Sequence, residues 1–181
     1  MVDTHGQTIA SGNIGLLRCR GPGVATGFCN EVGEISNESF KDGWYYPGEI
    51  ARFDPNGFLH IVGRASDTIL RAGINIYPVE IEDVLQRHPA VLEAAVLGAP
   101  SLEYGEEVVA FVRLRVSTSS RELLETCRRY LTAYKVPCQI VPIDEFPRNP
   151  AGKVLKSELL RLLREGPPTS VRPGDAVRRP V

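Results

Sequence analysis

The sequence has no apolar run approaching the roughly 20 residues that a membrane-spanning helix needs. It has no excess of charge of either sign. Lys and Arg number 21 against 22 Asp and Glu, for a formal net charge of −1. A global field that draws in nucleic acid or an anionic membrane is thereby excluded, and neither is expected as a partner. Cysteine is sparse: Cys19, Cys29, Cys127 and Cys138, with no C-x-x-C pair. The three histidines, His5, His60 and His88, are scattered. Neither a zinc site nor a disulfide framework finds its spacing here. Reduced, mostly buried thiols and no metal-binding residues are expected. The opening residues, Met1-Val2-Asp3-Thr4-His5, lack the basic and apolar regions of a secretory signal. A cytoplasmic location is expected.

What is present suits a globular core. Of 181 residues, 43% are apolar and 24% charged, sized for one domain or two small ones. Ile14 to Cys19 is predicted to form a strand, after which Gly21-Pro22-Gly23 breaks the chain. Residues 24–43 have no clean period. Glu49 to Phe53 and Phe58 to Val62 flank Asp54-Pro55-Asn56-Gly57, a hairpin signal. Thr68 to Leu70 is predicted as a short strand ending near Gly73. From Pro78 the period becomes helical, with Val79, Ile81, Val84 and Leu85 largely on one face. Pro78 suits the first helical position, and Pro89 stops the helix. Strands are predicted at Val91–Leu97, Val108–Val116 and Gln139–Ile143. Helices are predicted at Ser120–Leu131, capped by Ser119 or Ser120, and at Val154–Arg164. After Gly166 the composition turns to Pro, Gly, Arg and Ser, and 167–181 is expected to be disordered.

Four segments, taken in order, carry a resemblance. They are Asp42-Gly43-Trp44-Tyr45-Tyr46-Pro47-Gly48-Glu49, then Gly57-Phe58-Leu59-His60-Ile61-Val62-Gly63-Arg64. Next come Asp67-Thr68-Ile69 with Gly73-Ile74-Asn75-Ile76-Tyr77-Pro78-Val79-Glu80-Ile81-Glu82, and finally Pro147-Arg148-Asn149-Pro150-Ala151-Gly152-Lys153-Val154. Together they resemble the adenylate-forming superfamily of acyl-CoA synthetases, luciferase and peptide-synthetase adenylation domains. The resemblance runs from about Gly12 to Leu163. The family's Gly/Ser/Thr-rich phosphate loop and its Y-G-x-T-E segment are not in this sequence.

The resemblance implies a mixed α/β chain. Residues 1–63 would be the β-rich remnant of a large N-terminal domain, and 64–166 a small, mobile α+β C-terminal domain. The larger domain would be met in cis or in trans. The reaction implied for the parent joins a carboxylic acid to ATP, with Mg²⁺, as an acyl-adenylate, which CoA then attacks. Nothing in the pattern specifies the acyl group or an oligomeric state, and the isolated chain is expected to be inactive.

Residue by residue, Glu49 stands where the family uses Asp to accept hydrogen bonds from the ribose of ATP. A carboxylate suits a diol because an ionised acceptor makes strong hydrogen bonds. Arg64 matches the Arg that contacts the nucleotide, Ser66 the hinge position, with Asp67 beside it. A hinge needs dihedrals that can switch rather than a particular side chain. Gly73 matches the glycine that lets pantetheine pass close to the backbone, where a missing Cβ is the physical reason. Lys153 matches the catalytic lysine that meets the acyl carboxylate and the α-phosphate. Trp44, Tyr45 and Tyr46 could stack on adenine, but packing within the β-rich part is the expectation adopted. Tyr134-Lys135-Val136-Pro137 is assigned to structure. Two other readings stay open: an enzyme loading a carrier-protein phosphopantetheine, against which Asn75-Ile76-Tyr77-Pro78 argues, and a non-catalytic fragment or docking module.

Overall fold

The computed structural model describes residues 1–3, 6–29 and 33–165. The tail 167–181, expected to be disordered, lies outside the described residues, as does His5. The chain divides into two compact units, Met1–Ser66 and Asp67–Val181.

The first unit is made of short antiparallel pairings. Its strands are β1 (Gly15–Leu16), β2 (Phe28–Cys29), β3 (Ile35–Ser36), β4 (Phe40–Lys41), β5 (Trp44–Tyr45), β6 (Glu49–Phe53) and β7 (Leu59–Arg64). The first, sixth and seventh form a sheet in the order β1-β6-β7, while β2–β3 and β4–β5 are separate ribbons. The expected strand over 14–19 shortens to Gly15–Leu16, with an isolated bridge from Cys19 to Tyr45. Between Lys41 and Trp44 the two loop residues Asp42 and Gly43 have φ of 52° and 73°. That is the type I′ turn, whose twist matches the strands it joins. The β6–β7 loop is the hairpin expected from Asn56-Gly57. Asp54 Oδ1 accepts from the N–H groups of Asn56 and Phe58 at 2.9 Å, and Gly57 N–H donates to Asp54 O at 3.0 Å.

Phe28, Phe40, Trp44 and Tyr45 find partners within this unit. Phe40 and Tyr45 stack at 4.9 Å between centroids, with Phe28 5.3 Å from Phe40. The guanidinium carbons of Arg18 and Arg20 lie 4.1 and 4.4 Å from the Trp44 ring centre.

The second unit holds β8 (Ile69–Arg71), β9 (Ile74–Ile76), α1 (Pro78–Gln86), β10 (Val91–Ser101), β11 (Gly105–Leu114), α2 (Ser120–Tyr130), β12 (Gln139–Pro142) and α3 (Lys156–Glu165). The sheet order is β10-β11-β8-β9, with β12 parallel to β11. Its long antiparallel pair β10–β11 is apolar on both faces because both are covered. Ala94, Val96, Val108, Ala110 and Val112 pack on one side with Ile81 and Leu85 of α1 and Leu123 and Cys127 of α2. Ala95, Leu97, Val109 and Phe111 pack on the other with Phe146 and Leu159 of α3. Pro78 occupies the start of α1, where its missing N–H costs nothing. Ser119 caps α2, its hydroxyl accepting from Glu122 N–H at 3.2 Å.

Two further expectations change. Helix α3 begins at Lys156 rather than Val154, because Val154 is bridged to Arg148. The thiols are not mostly buried: Cys19 and Cys29 are exposed, Cys138 is half-buried, and only Cys127 is buried. The two exposed cysteines lie on short pairings in a unit with little interior. Burial pushes the Cys127 thiol up to about 11, eased slightly by the charge of Arg128. Among the described residues no helix is long and apolar enough to cross a membrane.

Candidate functional site

In the first unit the hairpin brings two sequence-predicted residues face to face. Glu49 of β6 and Arg64 of β7 are direct cross-strand neighbours, and Arg64 Nε lies 3.3 Å from Glu49 Oε1. A register shift between Ile50 and Ala51 makes Val62 the extra residue on β7. Such a bulge re-aims the residues beyond it. Both side chains retain solvent access, so the pair contributes only about 0–1 kcal/mol to stability. A carboxylate and a guanidinium fixed side by side on adjacent strands offer an acceptor for hydroxyls and a planar donor fork for phosphate.

Ser66 and Asp67 follow in a short 3-10 turn, Ala65–Asp67, and the division between the units falls between them. Inside the second unit Asp67 faces Lys156, whose Nζ lies 3.6 Å from Asp67 Oδ2 and 3.5 Å from Glu82 Oε1. Glu82 Oε1 also accepts from Val96 N–H at 2.8 Å. The first residue of the unit is thus tied through Lys156 to the start of α3 and to the middle of α1.

Gly73 lies in a turn just beyond the short strand predicted to end near it, with the positive φ of a turn glycine. Arg71 pairs with Ile74, and the two residues between them, Ala72 and Gly73, have φ of 50° and 82°. This is again a type I′ turn. Ala72 carries the left-handed conformation at a cost of about 1–2 kcal/mol. The hairpin is fastened to the Gly105 end of β11. Ala72 N–H donates to Tyr104 O at 2.8 Å, Leu70 N–H donates to Glu106 Oε2 at 2.6 Å, and Arg71 stacks 4.2 Å over the Tyr104 ring. A Cβ built on Gly73 would meet nothing within 4 Å. The backbone there is bare and approachable.

Lys153 ends a tight turn beginning at Arg148. Gly152 N–H donates to Asn149 O at 2.8 Å, and Asn149 N–H donates to Lys153 O at 2.9 Å. Lys153 N–H donates to the Asn149 side-chain oxygen at 2.9 Å. Gly152 takes a φ of 81°, which the turn requires. The Lys153 side chain is exposed and enters no ion pair among the described residues. The turn is fastened to the second unit by Arg148, which meets the Glu93 carboxylate of β10. Sequence reasoning had missed Glu93. Its one signal was a lone acid in the run Val91-Leu92-Glu93-Ala94-Ala95-Val96-Leu97.

Glu49 and Arg64 form one pair in the first unit, while in the second the Gly73 turn sits at the Gly105 end of the β10–β11 pair and the Lys153 turn at its Glu93 end, so the structure does not bring these two together. Among the described residues no group of three or more His, Cys, Asp or Glu side chains is placed to hold a metal ion.

Known proteins resemble this chain in sequence and fold. Residues 80–153 match the family described as the AMP-binding enzyme C-terminal domain. A long-chain-fatty-acid–CoA ligase of Yersinia pestis is 44% identical over 158 residues, 87% of this chain and 28% of its own length. An o-succinylbenzoate CoA synthetase from Bacillus subtilis, solved with an acyl-adenylate intermediate, superposes with a TM-score of 0.79 at 37% identity, over 87% of this chain and 32% of that one. The same enzyme solved with ATP and a magnesium ion gives 0.77 at 37% identity, over 87% and 33%. The chain therefore spans about a third or less of the length of the relatives it matches. Over most of its length the chain is thus similar in sequence to acyl-CoA ligases and in fold to adenylate-forming enzymes, with residues 80–153 matching the AMP-binding enzyme C-terminal domain family.

Proposed function

We propose that this chain is the lysine-bearing part of an AMP-forming acyl-CoA ligase. In the first half-reaction a carboxylate attacks the α-phosphate of ATP and pyrophosphate leaves. In the second the CoA thiol displaces AMP from the acyl-adenylate. Glu49 accepts from the ribose hydroxyls and Arg64 donates to the nucleotide. Lys153 meets the charge that gathers between the acyl carboxylate and the α-phosphate. Mg²⁺ accompanies ATP and shields its phosphates when bound. Residues 64–166 act as the mobile domain, turning about Ser66 and Asp67, and the open backbone at Gly73 lines the pantetheine path. The larger domain, in cis or in trans, supplies the acyl pocket.

The observation that carries this reading is Lys153, an exposed ammonium on a braced turn within the matched segment. A fixed charge in a closed, dry site is worth several kcal/mol to a developing anion, and losing one such donor costs about a hundredfold or more in rate. Lys153 and Gly73 lie on separate turns of one unit, so each serves a different half-reaction when that unit reorients.

The test uses this chain alone and fused behind the remaining portion of a long-chain-fatty-acid–CoA ligase. The isolated chain should release no pyrophosphate above background with ATP and a panel of fatty and aromatic acids. In the fusion, Lys153→Ala should lower pyrophosphate exchange about a hundredfold and largely spare thioester formation from supplied acyl-adenylate. Gly73→Leu should do the reverse. Equal damage to both steps by both variants would reduce these residues to fold elements and overturn the assignment.

A further inference from the structure

The lone acid of β10 is aimed by a defect in its own strand. The β10–β11 register shifts between Val91 and Glu93, leaving Leu92 as an extra, exposed residue. Beyond the shift the strand alternates regularly. Ala94 and Val96 face α1 and α2, and Ala95 and Leu97 face Phe146 and α3. Glu93 falls in step with Ala95, on the α3 side, yet Val91 packs on the α1–α2 side with Ala94. Without the bulge Val91 and Glu93 would share a face. The bulge keeps Val91 in the core and delivers a carboxylate, 28% exposed, to the face where the Lys153 turn sits.

There it meets Arg148. One terminal nitrogen of the guanidinium pairs with Glu93, and the other donates to Gly152 O at 2.7 Å. A rigid planar fork thus spans from the sheet to the carbonyl immediately before Lys153. Holding that carbonyl fixes the peptide plane from which the lysine departs. A side chain with four rotatable bonds reaches one place repeatedly only if its base is fixed, and a misplacement of about 1 Å can cost about a hundredfold in rate.

We propose that Arg148, carried by Glu93, is a positioning residue for Lys153. This rests on the adenylation role given to Lys153 above. Asn149 shapes the turn from within, and Arg148 orients it against the sheet.

The first measurement is amide hydrogen exchange on the chain itself. Arg148→Ala should speed exchange at Gly152 and Lys153 about tenfold or more, as expected for loss of a charge-assisted bond, while Val109 and Ala110 in the sheet keep their protection. Arg148→Lys, which reaches one partner but not both, and Glu93→Gln, which keeps an acceptor without the charge, should each give part of the effect. If Arg148→Ala loosens the sheet as well, these two variants decide. Unchanged exchange at Gly152 and Lys153 in a folded variant would overturn the proposal. The second measurement is in the fused ligase, where Arg148→Ala should lower pyrophosphate exchange about tenfold or more and leave thioester formation from supplied adenylate in place. If Lys153→Ala has no effect there, the ligase reading of Lys153 fails. If Lys153→Ala cripples adenylation while a loosened Arg148→Ala turn runs at the parent rate, the positioning role fails alone.

Discussion

The two units differ in how they bury what they have. In the second, one sheet is covered on both faces, and Phe111, Val96, Leu123 and Leu159 are inaccessible or nearly so. In the first, the buried apolar residues among those described are Val2, Ile50 and Ala51, while Ile14, Phe28, Ile35, Phe58, Leu59 and Ile61 stay exposed. Two-residue strands and isolated ribbons cannot build an interior, because ribbons need a third strand or a covering helix for independent stability. The second unit carries its own reasons to fold, whereas the first leaves much of its apolar surface exposed.

The comparison breaks most plainly in equilibrium unfolding. Trp44 is the single tryptophan and lies in the first unit, whereas α1, α2 and α3 all lie in the second. Tryptophan fluorescence and helical circular dichroism therefore report separate units of one chain. The fluorescence transition should come at clearly lower denaturant than the helical one. Coincident transitions would make the chain one cooperative unit.

Matched truncations sharpen the same contrast. Phe111 is fully buried between the sheet and α3, and Phe111→Ala should cost about 3–5 kcal/mol in the helical transition. Phe58 is exposed in the β6–β7 loop, and Phe58→Ala should change the fluorescence transition by about 0.5 kcal/mol or less. A large loss at Phe58 would show that the first unit buries more than its strands suggest.

Thiol chemistry gives a residue-by-residue version. Cys19 and Cys29 of the first unit are exposed and should be modified first by a thiol reagent in the native chain. Cys138 should follow. Cys127, buried on the inner face of α2 with its thiol raised to about 11, should react only as the second unit opens. Early labelling of Cys127, read by peptide mass, would contradict the covered sheet.

The same difference governs what the sequence disclosed. Helices α1 and α2 were legible because their signals are local: Pro78 at an entry, Ser119 at a cap, apolar residues at helical spacing. The β6–β7 hairpin was legible from Asn56-Gly57 between apolar runs. The ribbons within 24–43 were not, since two-residue strands have no period and are held by aromatic packing of Phe28, Phe40 and Tyr45. Strand β9 was hidden because Ile74-Asn75-Ile76 is short and its partner lies across a turn that needs Ala72 at positive φ. Glu49, Arg64, Gly73 and Lys153 were found through motifs, one at a time. The adjacency of Glu49 and Arg64 needed the hairpin. The hold of Glu93 on Arg148 needed both a bulge and a pairing across 55 positions, which no local pattern encodes.

The smallest expected effect is a pair of carboxylates, one in each unit, that should respond to acid independently. Glu122 lies in the first turn of α2. Thr118 Oγ1 donates to it at 2.6 Å, and His88 Nε2 lies 3.5 Å away. The Thr118 hydrogen bond foremost, with the His88 charge adding to it, holds the carboxyl below its ordinary 4.5. Asp54 is held below its ordinary 3.8, first by the His60 ring at 2.9 Å and then by Phe58 N–H. A carboxyl whose folded pKa is depressed stabilises the fold above its unfolded pKa, and that contribution is lost as pH falls through the folded value. Glu122 should therefore support the second unit at neutral pH and cease to do so as pH drops below 4.5. Asp54 should do the same for the first unit below 3.8. Glu122→Gln should move the helical transition alone and Asp54→Asn the fluorescence transition alone. Each difference from the parent should be present at neutral pH and vanish in acid. If either variant shifts both transitions, the units are coupled and the contrast between them narrows. If the difference grows as pH falls, the carboxyl is not held in its charged form by these partners.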